Sequence, residues 1–274
     1  MMQMKTPDSN QELPILNPQG TDALMLDGLR SVTFKYFHEQ VNEHTGLIAD
    51  KSEPGSPGSI AAVGLGLSVY IVAVERNLLS RTEAVERTLK ALRFFHLSPQ
   101  GPEPDATGYR GFYYHFLDME TGRRAWKCEL STIDTAILIA GALTAASYFD
   151  RDDVAETELR ELAESLYRRV DWKWALDGKA TISHGWKPES GFLPGRWARG
   201  YCEAHILYVL ALGSPTFAIE PEGYHEWTST FEWKKFYGIE YLRWPAFHSS
   251  AIPNVSGLPR HKGRGEPEGR VRLF

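Results

Sequence analysis

A chain of 274 residues with a net charge of -5 has no basic field of the kind that holds nucleic acid or an anionic membrane, so neither is expected as a partner. Its 2 cysteines, Cys128 and Cys202, fall in or beside predicted helices and make no disulfide framework. The first twenty residues lack an apolar run of signal-peptide length, and no stretch offers about 18 consecutive apolar residues, so the chain as written reads as cytoplasmic without a membrane segment; a misassigned N-terminus would make it periplasmic.

Residues 1–20 are polar and without period, which predicts a mobile arm. Helical pattern begins near Thr21. Leu26, Leu29, Val32 and Tyr36 recur at three or four residues, with Phe37 widening the stripe, and predict one buried helical face ending near Val41. Glu43 to Ser59 is mostly turn chemistry, and a loop of that length in a compact domain is usually functional or disordered. Ser59 is placed to cap a helix over Ile60–Asn77 that is apolar nearly all round, with Gly64 and Gly66 permitting close approach of a neighbour. Ser80 with Glu83 forms a capping box for a third helix, to about Phe95. Gly111 to Trp126 predicts a β-hairpin around Glu120-Thr121-Gly122.

An Ala-rich apolar helix is predicted from Leu130 to Phe149, entered through Glu129, and an amphipathic one from Val154 to Val170. Trp172 to Trp186 suggests a second hairpin turning at Asp177-Gly178. A loop from His184 to Glu203 leads into a short apolar helix, Tyr201–Leu212, stopped by Gly213-Ser214-Pro215, and Gly223 to Thr230 predicts one more turn. Outer amphipathic helices alternating with inner apolar ones fit stacked αα-hairpins better than a parallel sheet, so the expected class is all-α with small β-hairpins.

Three segments precede or join the apolar helices: Trp126–Thr135, His184–Phe192 and Arg196–Glu203. Glu129, at a predicted helix N-terminus, is favoured there by the helix dipole. Asp134, expected one turn inside an apolar helix, needs a partner, either a structural Arg or Lys or a site, because a buried ionised carboxylate is costly. Five residues apart, the two are not a helical pair. Glu189, between Pro188 and Gly191, sits where a rigid loop would present it to a cleft, and Glu203 begins a helix. His115, His184 and His205 have no metal-ligand spacing, so neither metal nor cofactor is expected. Several acids with tryptophans, Lys and Arg are an inventory compatible with glycoside hydrolysis, which needs one carboxylic acid and one carboxylate.

The motifs YHFLDMETGRRAW, CELSTIDTAILIAGAL, YRRVDWKWAL, SHGWKPESGF and LYVLALGSPT resemble the bacterial glucoamylase-like (glycoamylase) family, related to endo-β-1,2-glucanases and to a domain of cyclic β-1,2-glucan synthases. The resemblance runs from Phe34 to Phe247. It implies an (α/α)6 toroid whose central cleft binds glucan, with β-1,2 linkage expected, Glu189 as an acid and Glu129 and Asp134 as subsite or catalytic carboxylates. By the same resemblance Glu203, Trp126, Trp186, Lys187, Trp197, Arg196, Tyr201 and His115 are expected to contact substrate. Oligomeric state is left open.

A complete toroid needs about twelve helices, and the pattern here gives six or seven. After Pro245-Ala246-Phe247 the family pattern stops, and residues 248–274 are rich in Pro, Gly and Arg without period. Read one base later, codons for Phe247–Asn254 and Gly257–Phe274 can encode Phe-Ile-His-Gln and Asp-Phe-Arg-Gly-Ile segments typical of the family. The expectation is a partial toroid over 21–247 and a frameshifted tail over 248–274, leaving apolar helix faces open and activity impaired. A non-catalytic carbohydrate-binding protein and a nonfunctional gene fragment are the alternatives.

Overall fold

The computed structural model describes residues 21–243, so the expected N-terminal arm and the expected frameshifted tail lie outside the described residues. The helices are α1 (Thr21–Glu39), α2 (Ile60–Glu75), α3 (Arg81–Leu97), α4 (Thr132–Tyr148), α5 (Val154–Arg169), α6 (Ala204–Leu212) and α7 (Glu222–Thr228). The apolar α2, α4 and α6 lie side by side as an inner row, and the amphipathic α3 and α5 pack outside them. Mostly helical architecture with small β-hairpins is therefore as expected.

Close packing of the inner row follows from its glycines. A methyl on Gly141 would stand 2.1 Å from the carbonyl oxygen of Gly64, and one on Gly64 would stand 2.4 Å from that of Ile137. Only hydrogen fits at these two positions, so α2 and α4 touch backbone to backbone. In the outer row, Arg81 at the start of α3 donates to both carboxylate oxygens of the buried Glu156 on α5, at 2.7 and 2.8 Å. The core also encloses Trp172, Trp227, Tyr113, Tyr114 and Tyr208 completely.

Nine short strands complete the fold among the described residues. β1 (Gly58–Ser59) pairs with β4 (Phe116–Leu117); β2 (Gly108–Tyr109), β3 (Phe112–Tyr114), β5 (Leu130–Ser131), β6 (Gly185–Lys187) and β7 (Gly191–Phe192) form one antiparallel sheet in that order; β8 (Trp233–Phe236) pairs with β9 (Ile239–Leu242). Tyr114 lies opposite Leu130, and Leu130 opposite Trp186. β1 runs directly into α2 through the cap Ser59, and β5 into α4 through the cap Ser131. The β1–β4 pair and the five-stranded sheet thus meet the N-terminal ends of two inner helices.

Four expectations change. The Leu130–Phe149 helix starts instead at Thr132, because Ser131 takes the capping role and accepts from the Asp134 amide at 3.2 Å. Glu129 therefore precedes a strand and owes nothing to the helix dipole. Asp177-Gly178 turns no hairpin; a 3-10 turn over Trp174–Leu176 ends there, and β6 pairs with β5 and β7 instead. Around Glu120-Thr121-Gly122 the chain does reverse, but only one bridge, Leu117 to Arg124, closes it, and Asp118 caps the turn through its side chain. Finally, Leu29 and Val32 on α1 are 61% and 68% exposed, so the middle of the stripe expected to be buried is open, while Leu26, Tyr36 and Phe37 are half-buried, the last two against the core.

Candidate active site

His115 occupies the one-residue step between β3 and β4. Its amide donates to the Glu129 carbonyl at 3.0 Å, and its own carbonyl accepts from Ile60 at the start of α2 at 3.3 Å. Backbone bonds thus fix the ring between two inner helices, and Phe116 stacks on it at 4.0 Å, nearly parallel. Nδ1 lies 3.0 Å from Glu129 Oε1, and Nε2 lies 3.5 Å from Asp134 Oδ2. The first is a hydrogen bond; the second, at its length, is an ion contact that a small closure would tighten.

The three groups titrate against one another. Burial is the largest single influence on His115 and opposes its charge, yet Glu129, Asp134 and Asp50 together outweigh it and raise the pKa. Glu129 is held below the usual carboxylate range, chiefly by the hydrogen bond from His115, with Lys187 helping. Asp134 moves the other way: burial raises it, His115 and the Ser131 bond only partly offset that, and repulsion from Glu129 and Asp50 adds to the rise. Two carboxylates on one imidazole are thereby split, one held ionised and one held toward the protonated form, which is how environment assigns base and acid.

Asp50 was not singled out in the sequence. Its signal was its place in the Glu43–Ser59 loop, which on length alone was marked as functional or disordered. Its amide donates to Pro57 at 2.8 Å, which holds that loop against the site.

A second group gathers at the start of α6. Trp197 donates from Nε1 to Thr132 Oγ1 at 2.9 Å, tying the loop to α4, and His184 packs on its ring at 4.2 Å. Glu203 stands just before α6, and its Oε2 is enclosed with no hydrogen-bond partner. Burial lowers the His184 pKa despite the nearby Glu203.

The other expected contacts divide. Trp186 leans on Tyr109 and Trp174 at 5.3 and 5.8 Å, half-buried beside Leu130. Tyr201 packs edge-on against Phe231 at 5.6 Å. Arg196 is directed into the fold, donating to Leu176 at 2.7 Å and Thr181 at 3.2 Å. Trp126 is 71% exposed.

Glu189, expected as an acid at the tip of a cleft loop, does sit at the β6–β7 turn. There it accepts two bonds from Arg124, at 2.7 and 3.0 Å, and that guanidinium, itself buried beneath the face of Tyr114, holds the carboxyl below its usual range. A pinned, ionised carboxylate is a latch between two loops and a poor proton donor. Cys128 and Cys202 are both free.

A double layer of helices thus presents paired carboxylates where its inner helices begin. Residues 196–252 match the Glycoamylase family model, described as "putative glucoamylase". Over 81% of its length the chain is 28% identical to an exo β-1,2-glucooligosaccharide sophorohydrolase (non-reducing end) of Parabacteroides distasonis, of which it spans 31%. A Bacteroides uniformis structure of the same designation as the family superposes with a TM-score of 0.72 at 26% identity, covering 82% of this chain and 55% of that one. A β-1,2-glucanase structure from Parabacteroides distasonis gives 0.68 at 25% identity, covering 76% of this chain and 30% of that one. These likenesses bear out the resemblance to the glucoamylase-like family read from the motifs. The chain spans about a third of the curated relative and about half of the Bacteroides uniformis protein.

Proposed function

We propose that this chain forms one part of an (α/α)6 toroid and carries the catalytic carboxylates of a glycoside hydrolase acting on β-1,2-linked glucan. The observation that carries the reading is the His115 bridge, which draws Glu129 and Asp134 onto one imidazole, where the hydrogen bond from His115 holds Glu129 low while burial raises Asp134. In this reading Asp134 protonates the leaving glycosidic oxygen, Glu129 remains ionised as base, and the burial of Asp134 keeps the two apart in charge. Trp197, Glu203 and His184 supply further contacts to the sugar chain. Relatives named for β-1,2-glucan and its oligosaccharides support the choice of linkage.

A second reading, glucan binding without turnover, is favoured by one observation. Leu65 and Val72 of α2 are 53% and 55% exposed, and Val209 of α6 is 54% exposed, on helices whose other faces form the core. An inner row left open on one side would hold a sugar less rigidly than catalysis requires. Chromatography of β-1,2-glucan digests separates the readings. Cleavage by the parent, abolished in Asp134→Asn and Glu129→Gln with oligosaccharide affinity kept, supports the enzyme. Affinity without cleavage in the parent supports the binding protein. Cleavage undiminished in both variants removes these carboxylates from the reaction.

A further inference from the structure

Resting on the reading of Glu129 as base, we propose that Arg124 is a positioning residue that clamps Glu129 from both flanks, holding the Cys128-Glu129 peptide on one side and the turn that carries Lys187 on the other. The Arg124 side chain is 1% exposed. Its Nε donates to the Cys128 carbonyl at 2.6 Å, Nη1 to Glu189 Oε1 at 2.7 Å and Nη2 to Glu189 Oε2 at 3.0 Å. One flat group thus joins the residue before Glu129 to the β6–β7 turn. A fork of this kind fixes direction as well as distance, which a lysine in its place would not do. Ion pairs with a buried member are rarely worth more to stability than apolar side chains of the same volume. What this pair supplies is geometry.

The sheet register identifies what is held. Leu130 lies opposite Trp186 and Ser131 opposite Gly185, and one step further along this register Lys187 stands across from Glu129. Gly185 backs the carboxylate on the same strand: a methyl there would lie 3.1 Å from Glu129 Cγ. Beyond Lys187 the chain turns at once, with the Ser190 amide donating to the Lys187 carbonyl at 3.3 Å and Gly191 at φ 76. Glu189 is the middle of that turn, with only the stiff Pro188 between it and Lys187. Glu129 is faced by His115 from the β3–β4 step, by Asp134 from α4 and by Lys187 from β6, while Asp50 faces His115 and Asp134. His115 and Lys187 favour its ionised form, and Asp134 opposes it. Burial raises the neighbouring Cys128 thiol, and among the charges Glu129 adds to that rise while Arg124 and Lys187 oppose it, so both cations stand about the Cys128-Glu129 peptide. His115 is fixed by its own backbone bonds. Lys187 ends a strand, and its place depends on the turn that Arg124 holds.

The test is a double-mutant cycle read on the Glu129 carboxyl, whose ionisation is followed by carbon-13 nuclear magnetic resonance, the signal being the one missing in Glu129→Gln. The cycle comprises the parent, Lys187→Met, Glu189→Ala and the double variant. Glu189 is 43% exposed, so truncating it leaves the fold standing. Lys187→Met is expected to raise the Glu129 midpoint in the parent, because a cation favouring the charged form is lost, and to raise it by about half as much or less in Glu189→Ala, where the turn is released. Comparing Lys187→Met within each background cancels the direct loss of the Glu189 charge. Arg124→Lys, which keeps the charge and loses the fork, is expected to shrink the effect of Lys187→Met in the same way. An equal rise in the parent and in Glu189→Ala overturns the clamp, as does the absence of any rise in the parent. The cycle reads ionisation and not turnover, so a parent that cleaves no β-1,2-glucan ends the reading of Glu129 as base while the clamp stands or falls on its own titration.

Discussion

Replacing His115 with Gln removes the group that bridges Glu129 and Asp134, and the cost is readable as a function of pH. The variant loses a charge-assisted bond at 3.0 Å and an ion contact at 3.5 Å. A hydrogen bond to a charged group contributes about 1.5–3 kcal/mol, and the low end applies because Gln retains one donor and the side chains of His115 and Glu129 are 31% and 28% exposed. A loss of about 1.5 kcal/mol in a chain of this size lowers the melting temperature by about 3–6 °C. The sign with pH follows from the two shifts. His115 is raised, so its contribution is complete below the ordinary histidine value of about 6.5 and disappears as pH rises through the raised one. Glu129 is lowered, so its contribution is complete above the ordinary glutamate value of about 4.3 and disappears as pH falls through the lowered one. Melting followed by circular dichroism will therefore show the largest gap between parent and variant near pH ~5.5 and a smaller one near pH ~8.5. A gap that is constant over that range, or that widens toward alkaline pH, refutes the bridged-charge account.

Three further outcomes follow from the same structure. Gly141→Ala places a methyl 2.1 Å from the Gly64 carbonyl oxygen, against backbone that has no room to give, and will lower the urea midpoint by the equivalent of about 2–3 kcal/mol; an unchanged midpoint would mean that α2 and α4 do not touch there. Arg81→Met leaves Glu156, 3% exposed, without its cationic partner, a change that costs about 3–5 kcal/mol in buried pairs and is measured by calorimetry. Because Arg124 keeps Glu189 ionised, Glu189→Gln will retain most of any β-1,2-glucan cleavage that Asp134→Asn abolishes, and equal losses in the two would restore Glu189 as the acid.

The helices were legible because their signals are local. Ser80 does accept from the Glu83 amide at 3.1 Å, Ser59 does cap α2, and the apolar spacing of α5 matches its buried side. The strands were not, because β5 is two residues long and shows no alternation; reading Leu130 as helix displaced Glu129 onto a helix end where it does not lie. Asp177-Gly178 has the composition of a hairpin turn, but Asp177 in the left-handed region ends a 3-10 turn instead. The candidate carboxylates were named from motif and family likeness, yet their meeting point was hidden. His115 lies 14 residues from Glu129 and reaches it only because β3 pairs with β5, a register no short-range pattern encodes. Arg124 and Glu189, 65 residues apart, were equally out of reach, so their pairing was not foreseen.

The account turns on sugar meeting the His115 bridge, and nuclear magnetic resonance of the histidine ring reports that contact directly. On titration with a β-1,2-linked glucose oligosaccharide, the His115 ring resonances should move in step with saturation, and in Glu129→Gln the ring should titrate at lower pH, because the carboxylate that hydrogen-bonds it is gone. Saturable binding that leaves His115 unmoved would place the sugar elsewhere on the fold and contradict the central claim.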